Sequence, residues 1–373
     1  MLLIKISLIA CALFIFILGS YPILVRLISF LFPNNVKKSP EFIRPVSIII
    51  ASYNEEKYIK QKLDSFLDPD EWIPDSEIIV FSCGSNDNTN NILHEYKQNE
   101  KLNIFITDEH LSKINIINEA VKKAKNDLLV FSDVRQKMKK GSAKHLVNNF
   151  YDPDVGTVTC QIKDYEKPDR FSLRTILNFI SLNESKINSC TNIFGALYAQ
   201  RKSLFREIPS GLLFDDLFVV VSALSQNKRL IMDKYAVLYE LPFLKYYITE
   251  RIQRLTRGLL LCLLLERKKI GEIPFLMRMR FLLFKYFKLI LPFILLITGI
   301  DAIVLFICYF SFQLLYFILA LTGFVLIIKS IRQFCFHLIK INYYFLLSTI
   351  RFFFMDVRDN RWEKHIRFID HEK

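Results

Sequence analysis

Residues 6–25, ISLIACALFIFILGSYPILV, carry no charged side chain. A helix of about 20 such residues crosses the hydrocarbon core of a bilayer. The run continues apolar to Phe32 and has no small-residue cleavage site behind it, which argues against a removable signal peptide. Lys5 precedes it, and Arg26, Lys37 and Lys38 follow. That bias places the next part of the chain on the cytoplasmic side. A second apolar block, 289–328, holds one charge, Asp301. Its length fits two spans joined by a tight turn, with Asp301 either in the membrane or near a bent end. Arg278, Arg280, Lys285 and Lys288 precede the block and Lys329 and Arg332 follow it, so this hairpin starts and ends in the cytoplasm. In 329–355, Lys329, Arg332, Gln333, His337, Lys340 and Arg351 share one arc at about 100° per residue. That pattern predicts an amphipathic helix on the inner leaflet, with a further span as the alternative.

Lysine plus arginine number 50 against 37 acids, a net charge of +13. With membrane segments present, attraction to anionic lipid headgroups accounts for the surplus, and no nucleic-acid motif accompanies it. An apolar share of 52% excludes a disordered or fibrous chain. No two of the ten glycines have Rossmann or Walker spacing, which excludes a glycine loop of those kinds. The seven cysteines contain no C-x-x-C pair and the six histidines no zinc spacing. A disulfide framework and a zinc site are therefore not expected, and the soluble part belongs in a reducing compartment.

Between the proline-bounded linker Pro33–Pro45 and about residue 240, short β-branched runs alternate with helical stretches. VSIII (46–50), EIIVF (77–81), LNIFIT (102–107), DLLVFS (127–132) and VGTVTC (155–160) read as strands. Asn54–Phe66, Asn88–Tyr96, Ser112–Lys125 and Ser142–Asn149 read as helices. This alternation predicts an α/β fold with a mostly parallel sheet covered on both faces. Ligands bind such sheets at the carboxyl ends of the strands. There the sequence places Ser52, Tyr53, Asn54 and Glu55, then Cys83 to Thr89, then Asp133 and Arg135. Asn54, Asp87 and Ser142 could each cap a helix; as a set, the rim residues converge on one crevice.

The segments VSIIIASYNEEKYI, IIVFSCGSNDNT, Ser112-Lys113…Asn118 and FSDVRQ resemble the catalytic domain of family-2 glycosyltransferases, which has the GT-A nucleotide-sugar fold. Phe194-Gly195-Ala196-Leu197-Tyr198-Ala199 is similar to the acceptor-side strand of that family, and Leu213-Phe214-Asp215-Asp216 to its base motif. Arg254-Leu255-Thr256-Arg257-Gly258 is similar to the arginine helix of membrane-bound polysaccharide and poly-N-acetylglucosamine synthases. The resemblance implies that Ser52, Tyr53, Asn54, Glu55 and Asp87 line the nucleotide pocket and that Lys113 approaches the nucleotide. It implies that Asp133 meets a Mg²⁺ or Mn²⁺ ion on the diphosphate, that Arg254 and Arg257 hold the diphosphate or gate the site, and that Asp216 is the catalytic base. Two positions depart from the pattern. The acid before Gly-Ser is Cys83, which cannot accept as a carboxylate does. The second acid of D-x-D is Arg135, which removes one hard oxygen ligand and can pair with phosphate itself.

The implied protein is a multi-pass inner-membrane, inverting glycosyltransferase. It moves a sugar from a nucleotide-sugar, expected to be UDP-linked, to a glycan or lipid-linked acceptor in cell-surface polysaccharide synthesis, with or without an accessory subunit. The alternative is a non-catalytic membrane partner in a glycan-assembly complex. The expected segments are an N-terminal transmembrane helix (1–32), a linker (33–45), a cytoplasmic GT-A domain (46–240), interfacial helices (241–285), a transmembrane hairpin (286–328) and an amphipathic helix with the C-terminal tail (329–373).

Overall fold

The computed structural model describes residues 16–39, 41–109, 111–165, 173–209, 215–240, 248–308 and 329–354, with isolated positions at 6, 9, 12, 13 and 315. Most of the expected first span before Phe16, the second arm of the hairpin and the C-terminal tail lie outside the described residues, as do Leu213 and Phe214. Two compact units emerge. Of the described residues, one gathers those within Leu24–Leu244 and Leu261–Arg280; the other gathers those within Met1–Ile23, Lys245–Leu260 and Phe281–Val357.

The first unit is built on an eight-stranded sheet: β1 (Val46–Ser52), β2 (Glu77–Cys83), β3 (Leu102–Thr107), β4 (Leu128–Ser132), β5 (Lys137–Met138), β6 (Val155–Asp164), β7 (Leu197–Arg201) and β8 (Arg229–Glu240). The spatial order is β3-β2-β1-β4-β7-β6-β8-β5. β1 pairs in parallel with both β2 and β4, in the registers Ile50↔Val80 and Ile50↔Ser132. β3 extends the parallel half beyond β2. Strand β7 runs antiparallel to β4 and to β6, and β8 returns in parallel with β6. The sheet is therefore mixed. β1, β2 and β4 are covered on both faces, and this is why their sequences are continuous apolar runs without alternation. Ile48, Ile50, Val80 and Val130 lie on one face of them, in a core with Ile59, Leu63 and Leu146.

The helices of this unit are α1 (Tyr21–Leu31), α2 (Ile59–Leu67), α3 (Thr89–Glu95), α4 (Lys113–Lys123), α5 (Ser142–Asn148), α6 (Leu173–Ile187) and α7 (Asp215–Ser225). Most sit where the sequence places them, but α2 begins five residues after Asn54. The reason is tertiary. The amides of residues 54–56 bond to the loop after β2, as detailed below, and Asn54 adopts φ 51°, so the backbone cannot enter a helix there. None of the three expected residues is a side-chain cap: Asn88 precedes α3 without one, and Asp87, one position earlier, accepts from the Thr89 N–H at 3.0 Å. Gly141, at φ 83°, precedes α5 instead, and the Ser142 hydroxyl bonds both ways with the Val237 backbone at 3.0 and 3.1 Å.

Gly156 lies in β6 against Leu204 and Lys228. A Cβ built there comes within 2.4 Å of Leu204 Cδ1 and 2.6 Å of Lys228 Cβ. Overpacking of this kind costs about 1–3 kcal/mol. Gly156→Ala is expected to lower the chemical-denaturation midpoint accordingly, while the rim is left intact.

Helices α8 (Ile248–Leu265), α9 (Arg267–Glu272), α10 (Phe275–Cys308) and α11 (Lys329–Phe354) complete the chain. α10 runs without a break across position 286, where the sequence suggests a segment boundary, and it contains Pro292. Among the described helices one stretch, Phe275–Asp301 within α10, is long and apolar enough to cross a membrane. Asp301 is buried and lies within this helix. α1 is apolar but short.

Candidate active site

The sheet has one topological switch point. After β1 the chain steps outward through β2 and β3, then returns across β1 to lay down β4 on its other side. The carboxyl ends of β1 and β4 thus open the crevice where α/β sheets bind ligands.

The loops after β1 and β2 are joined along their length. The Asn54 N–H donates to Ser85 Oγ at 3.1 Å, Glu55 N–H to Thr89 Oγ1 at 2.7 Å and Glu56 N–H to Asp87 Oδ2 at 3.2 Å. In return, Asn86 N–H donates to Asn54 Oδ1 at 2.9 Å and Asn88 N–H to Glu56 Oε2 at 2.9 Å. These side chains fix the shape of the rim. Ser52 closes its floor, buried, with a hydroxyl that has no hydrogen-bond partner among the described residues. Tyr53 is half-buried beside it.

Across the switch point, Arg135 Nε contacts both Glu55 oxygens, at 2.8 and 3.0 Å. The two side chains are 13% and 12% exposed, so this pair is shielded from water. Lys113, the first residue of α4, reaches Asp133 Oδ1 at 2.9 Å. Ser112 caps that helix by accepting from Asn115 N–H at 3.2 Å. The Asp133 N–H donates to the Ala196 carbonyl at 3.0 Å, joining the acidic turn to the segment before β7. The structure therefore brings together Ser52, Tyr53, Asn54, Glu55, Asp87, Lys113, Asp133 and Arg135, the eight rim residues expected from the sequence.

The remaining candidates are placed less closely. Asp216 is the second residue of α7, half-buried, and accepts from Leu217 N–H at 2.8 Å. The chain leading toward it is held at Ile208, whose N–H and C=O both bond to the Asn118 amide, at 3.0 and 2.9 Å. Arg254 and Arg257 are half-buried on α8, three residues apart and so on one helical face; they belong to the second unit.

Cys83, where the resemblance places an acid, is buried at the end of β2. Burial, aided by the charge of Glu109, pushes its thiol up to about 11. It stays neutral and does not replace a carboxylate. Among the described residues no three His, Cys, Asp or Glu side chains gather to hold a metal alone. With Glu55 tied to Arg135, Asp133 is the carboxylate that faces Lys113. One protein carboxylate with substrate phosphates and water suits Mg²⁺ or Mn²⁺ chemistry, so the residues fit a cation shared with a diphosphate.

One neighbour of the rim went unread in the sequence. Lys62 lies in the apolar stripe of α2 with Ile59, Leu63 and Phe66 and donates to the Gln136 carbonyl at 2.6 Å. A lysine at a core-facing helical position was the available signal.

Comparison with known proteins agrees with this arrangement. The model of the glycosyl transferase family 2 domain matches residues 47–209. A poly-beta-1,6-N-acetyl-D-glucosamine synthase of Staphylococcus epidermidis is 23% identical over 212 residues, 55% of this chain and 50% of that protein. The corresponding synthase of Staphylococcus aureus is 26% identical over 130 residues, 34% of this chain and 31% of that one. The chain thus matches about half the length, or less, of these curated relatives. A mannosyltransferase from Pyrobaculum calidifontis, solved with GDP-Man and Mn²⁺, superposes with a TM-score of 0.72 at 20% identity over 93% of this chain and 99% of that one. That likeness shows a shared fold, the mixed sheet of GT-A type. Residues 47–209, which carry the rim at the β1–β4 switch point, are thus similar to the glycosyl transferase family 2 domain.

Proposed function

We propose that this protein is a membrane-bound inverting glycosyltransferase that takes a nucleotide-sugar and glycosylates a hydroxyl of a glycan or lipid-linked acceptor. The observation that carries the proposal is the convergence, at one switch point, of the Asp133–Lys113 and Glu55–Arg135 pairs beside two cross-linked loops. The GDP-Man and Mn²⁺ bound to the archaeal mannosyltransferase support the donor class and the metal. The names of the staphylococcal synthases support a role in making a polysaccharide. The buried neutral thiol of Cys83 leaves a uracil without the carboxylate acceptor implied by the family pattern, so base recognition falls to neighbouring groups.

The nucleoside lies against Tyr53, Asn54 and Asp87, and its diphosphate meets Lys113. Asp133, with diphosphate oxygens, would hold a divalent cation that offsets charge on the departing group. Asp216 takes the proton of the acceptor hydroxyl as that oxygen attacks the anomeric carbon, and the bond to the diphosphate breaks on the opposite side, inverting the centre. Membrane attachment rests on α10, whose Leu276, Ile290, Leu296, Ile300 and Ile303 are exposed, an outward apolar face suited to lipid. The same reading makes α11 an inner-leaflet helix and the N-terminal run a span.

Arg257→Ala is expected to lower kcat/KM for the donor about tenfold or more, the scale of a charge-assisted hydrogen bond to phosphate. The protein should still partition to the membrane fraction. Flotation and steady-state kinetics on the same preparation check both halves.

The reading is tested by screening nucleotide-sugars, with Mn²⁺, for stabilisation of the detergent-solubilised chain, because a ligand of the native state raises its melting temperature. One donor should shift the melt in a metal-dependent way. A flat response to every UDP-, GDP- and CDP-sugar would remove the assignment.

A further inference from the structure

Lys62 is 3% exposed and packs in the core stripe of α2. Its Nζ donates to Gln136 O at 2.6 Å and lies 6.0 Å from the Phe66 ring centroid. Among the described residues no carboxylate oxygen comes within salt-bridge distance of it. An ammonium buried without a carboxylate partner is costly, and the bond to the Gln136 carbonyl offsets part of that cost. The acids that share a pocket with Lys62 are engaged elsewhere: Asp68 pairs with Lys140 at 3.0 Å, and Glu71 accepts from Gly141 N–H at 2.6 Å. Burial disfavours the Lys62 ammonium, and the charge of Asp133 partly opposes that. Burial nevertheless brings its pKa down to about 8.

We infer that Lys62 is a positioning residue for the donor site: from the core stripe of α2 it holds the 133–136 turn in place through the Gln136 carbonyl. Lys113 is partly exposed and able to swing from Asp133 to a diphosphate. Lys62 is enclosed and stays. When Lys113 engages the donor, the Lys62–Gln136 bond keeps the 133–136 turn, and Asp133 with it, in place. The inference rests on the glycosyltransferase reading of the rim.

The pocket beside Lys62 also makes the test possible. It has a volume of about 180 Å³ and is lined by Tyr58, Ser65, Val134 and Gln136 among others, which gives a small alkylamine room to enter when the side chain is cut back. Lys62→Met and Lys62→Ala would be made in the full chain in detergent. Melting temperature, kcat and KM for the donor would be measured, the Ala variant with and without propylamine or 1-propanol. Lys62→Met should melt at or above the wild-type temperature, since an apolar side chain replaces a buried charge. Its kcat should fall tenfold or more while KM for the donor changes less. Lys62→Ala should regain turnover with propylammonium and not with propanol. Wild-type kcat in the Met variant, equal rescue by propanol, or failure of both variants to fold would overturn the inference and leave Lys62 a space-filling residue. A wild-type chain that turns over no donor would instead remove the glycosyltransferase reading, and this inference with it.

Discussion

Asp216→Asn is expected to yield a folded, donor-binding protein whose transfer rate is lower by about 10²–10⁴-fold, the usual scale for loss of a general base. Asparagine keeps the size of the side chain and can still accept from the Leu217 N–H, as Asp216 Oδ1 does at 2.8 Å. The charge it removes sits in the first turn of α7, where the helix dipole favours an acid by only about 0.3–1 kcal/mol. A small stability loss with a large kinetic loss therefore separates a base from a helix-end acid. Asp215→Asn, one residue earlier, should be milder. Single-turnover transfer to acceptor, with nucleotide binding measured in parallel, distinguishes them. Wild-type turnover in Asp216→Asn, or a dead Asp215→Asn enzyme, would place the base elsewhere.

Asp133→Ala should abolish transfer and with it the metal dependence of donor binding. Asp133 is the carboxylate facing Lys113 at 2.9 Å, with its N–H held by Ala196. Alanine preserves that backbone bond and leaves Lys113 without its partner. The exposed setting of the pair, 28% and 29% for the two side chains, means that it contributes little to stability, so the melting temperature should barely move. Mn²⁺ titration of the donor-induced melting shift checks the metal half of the expectation. Full activity in EDTA, together with an active Asp133→Ala enzyme, would contradict it.

Much of this architecture is legible in the sequence because its strands are simple. β1, β2 and β4 are buried on both faces, so each is an unbroken β-branched run, and the polar residues that follow mark the rim. The antiparallel half is harder to read. β7 and β8 find their places through pairing with β4 and β6 at long sequence separation, and nothing local in Arg229–Glu240 names its neighbour. The late start of α2 was hidden for a similar reason. Asn54 to Glu56 have helix-compatible residues, but their amides bond to Ser85, Thr89 and Asp87, some thirty residues away. The Glu55–Arg135 pair was equally out of reach: the sequence marks Arg135 as a departure from the acidic pattern, and only the fold sets it against Glu55 in a shielded ion pair. Lys62 was visible as a charge at a core position, but its role appears only once Gln136 is seen beside it.

The central claim is that the β1–β4 switch point of this chain transfers sugar from a nucleotide. The most direct measurement is release of nucleoside diphosphate from a panel of nucleotide-sugars by the purified full chain in detergent and lipid, with Mn²⁺, for wild type and Asp133→Ala side by side. Sustained release from one donor class by the wild type is expected, with release by the variant no faster than without protein. No release from any donor by a folded wild-type protein, or equal release by the two proteins, would contradict it.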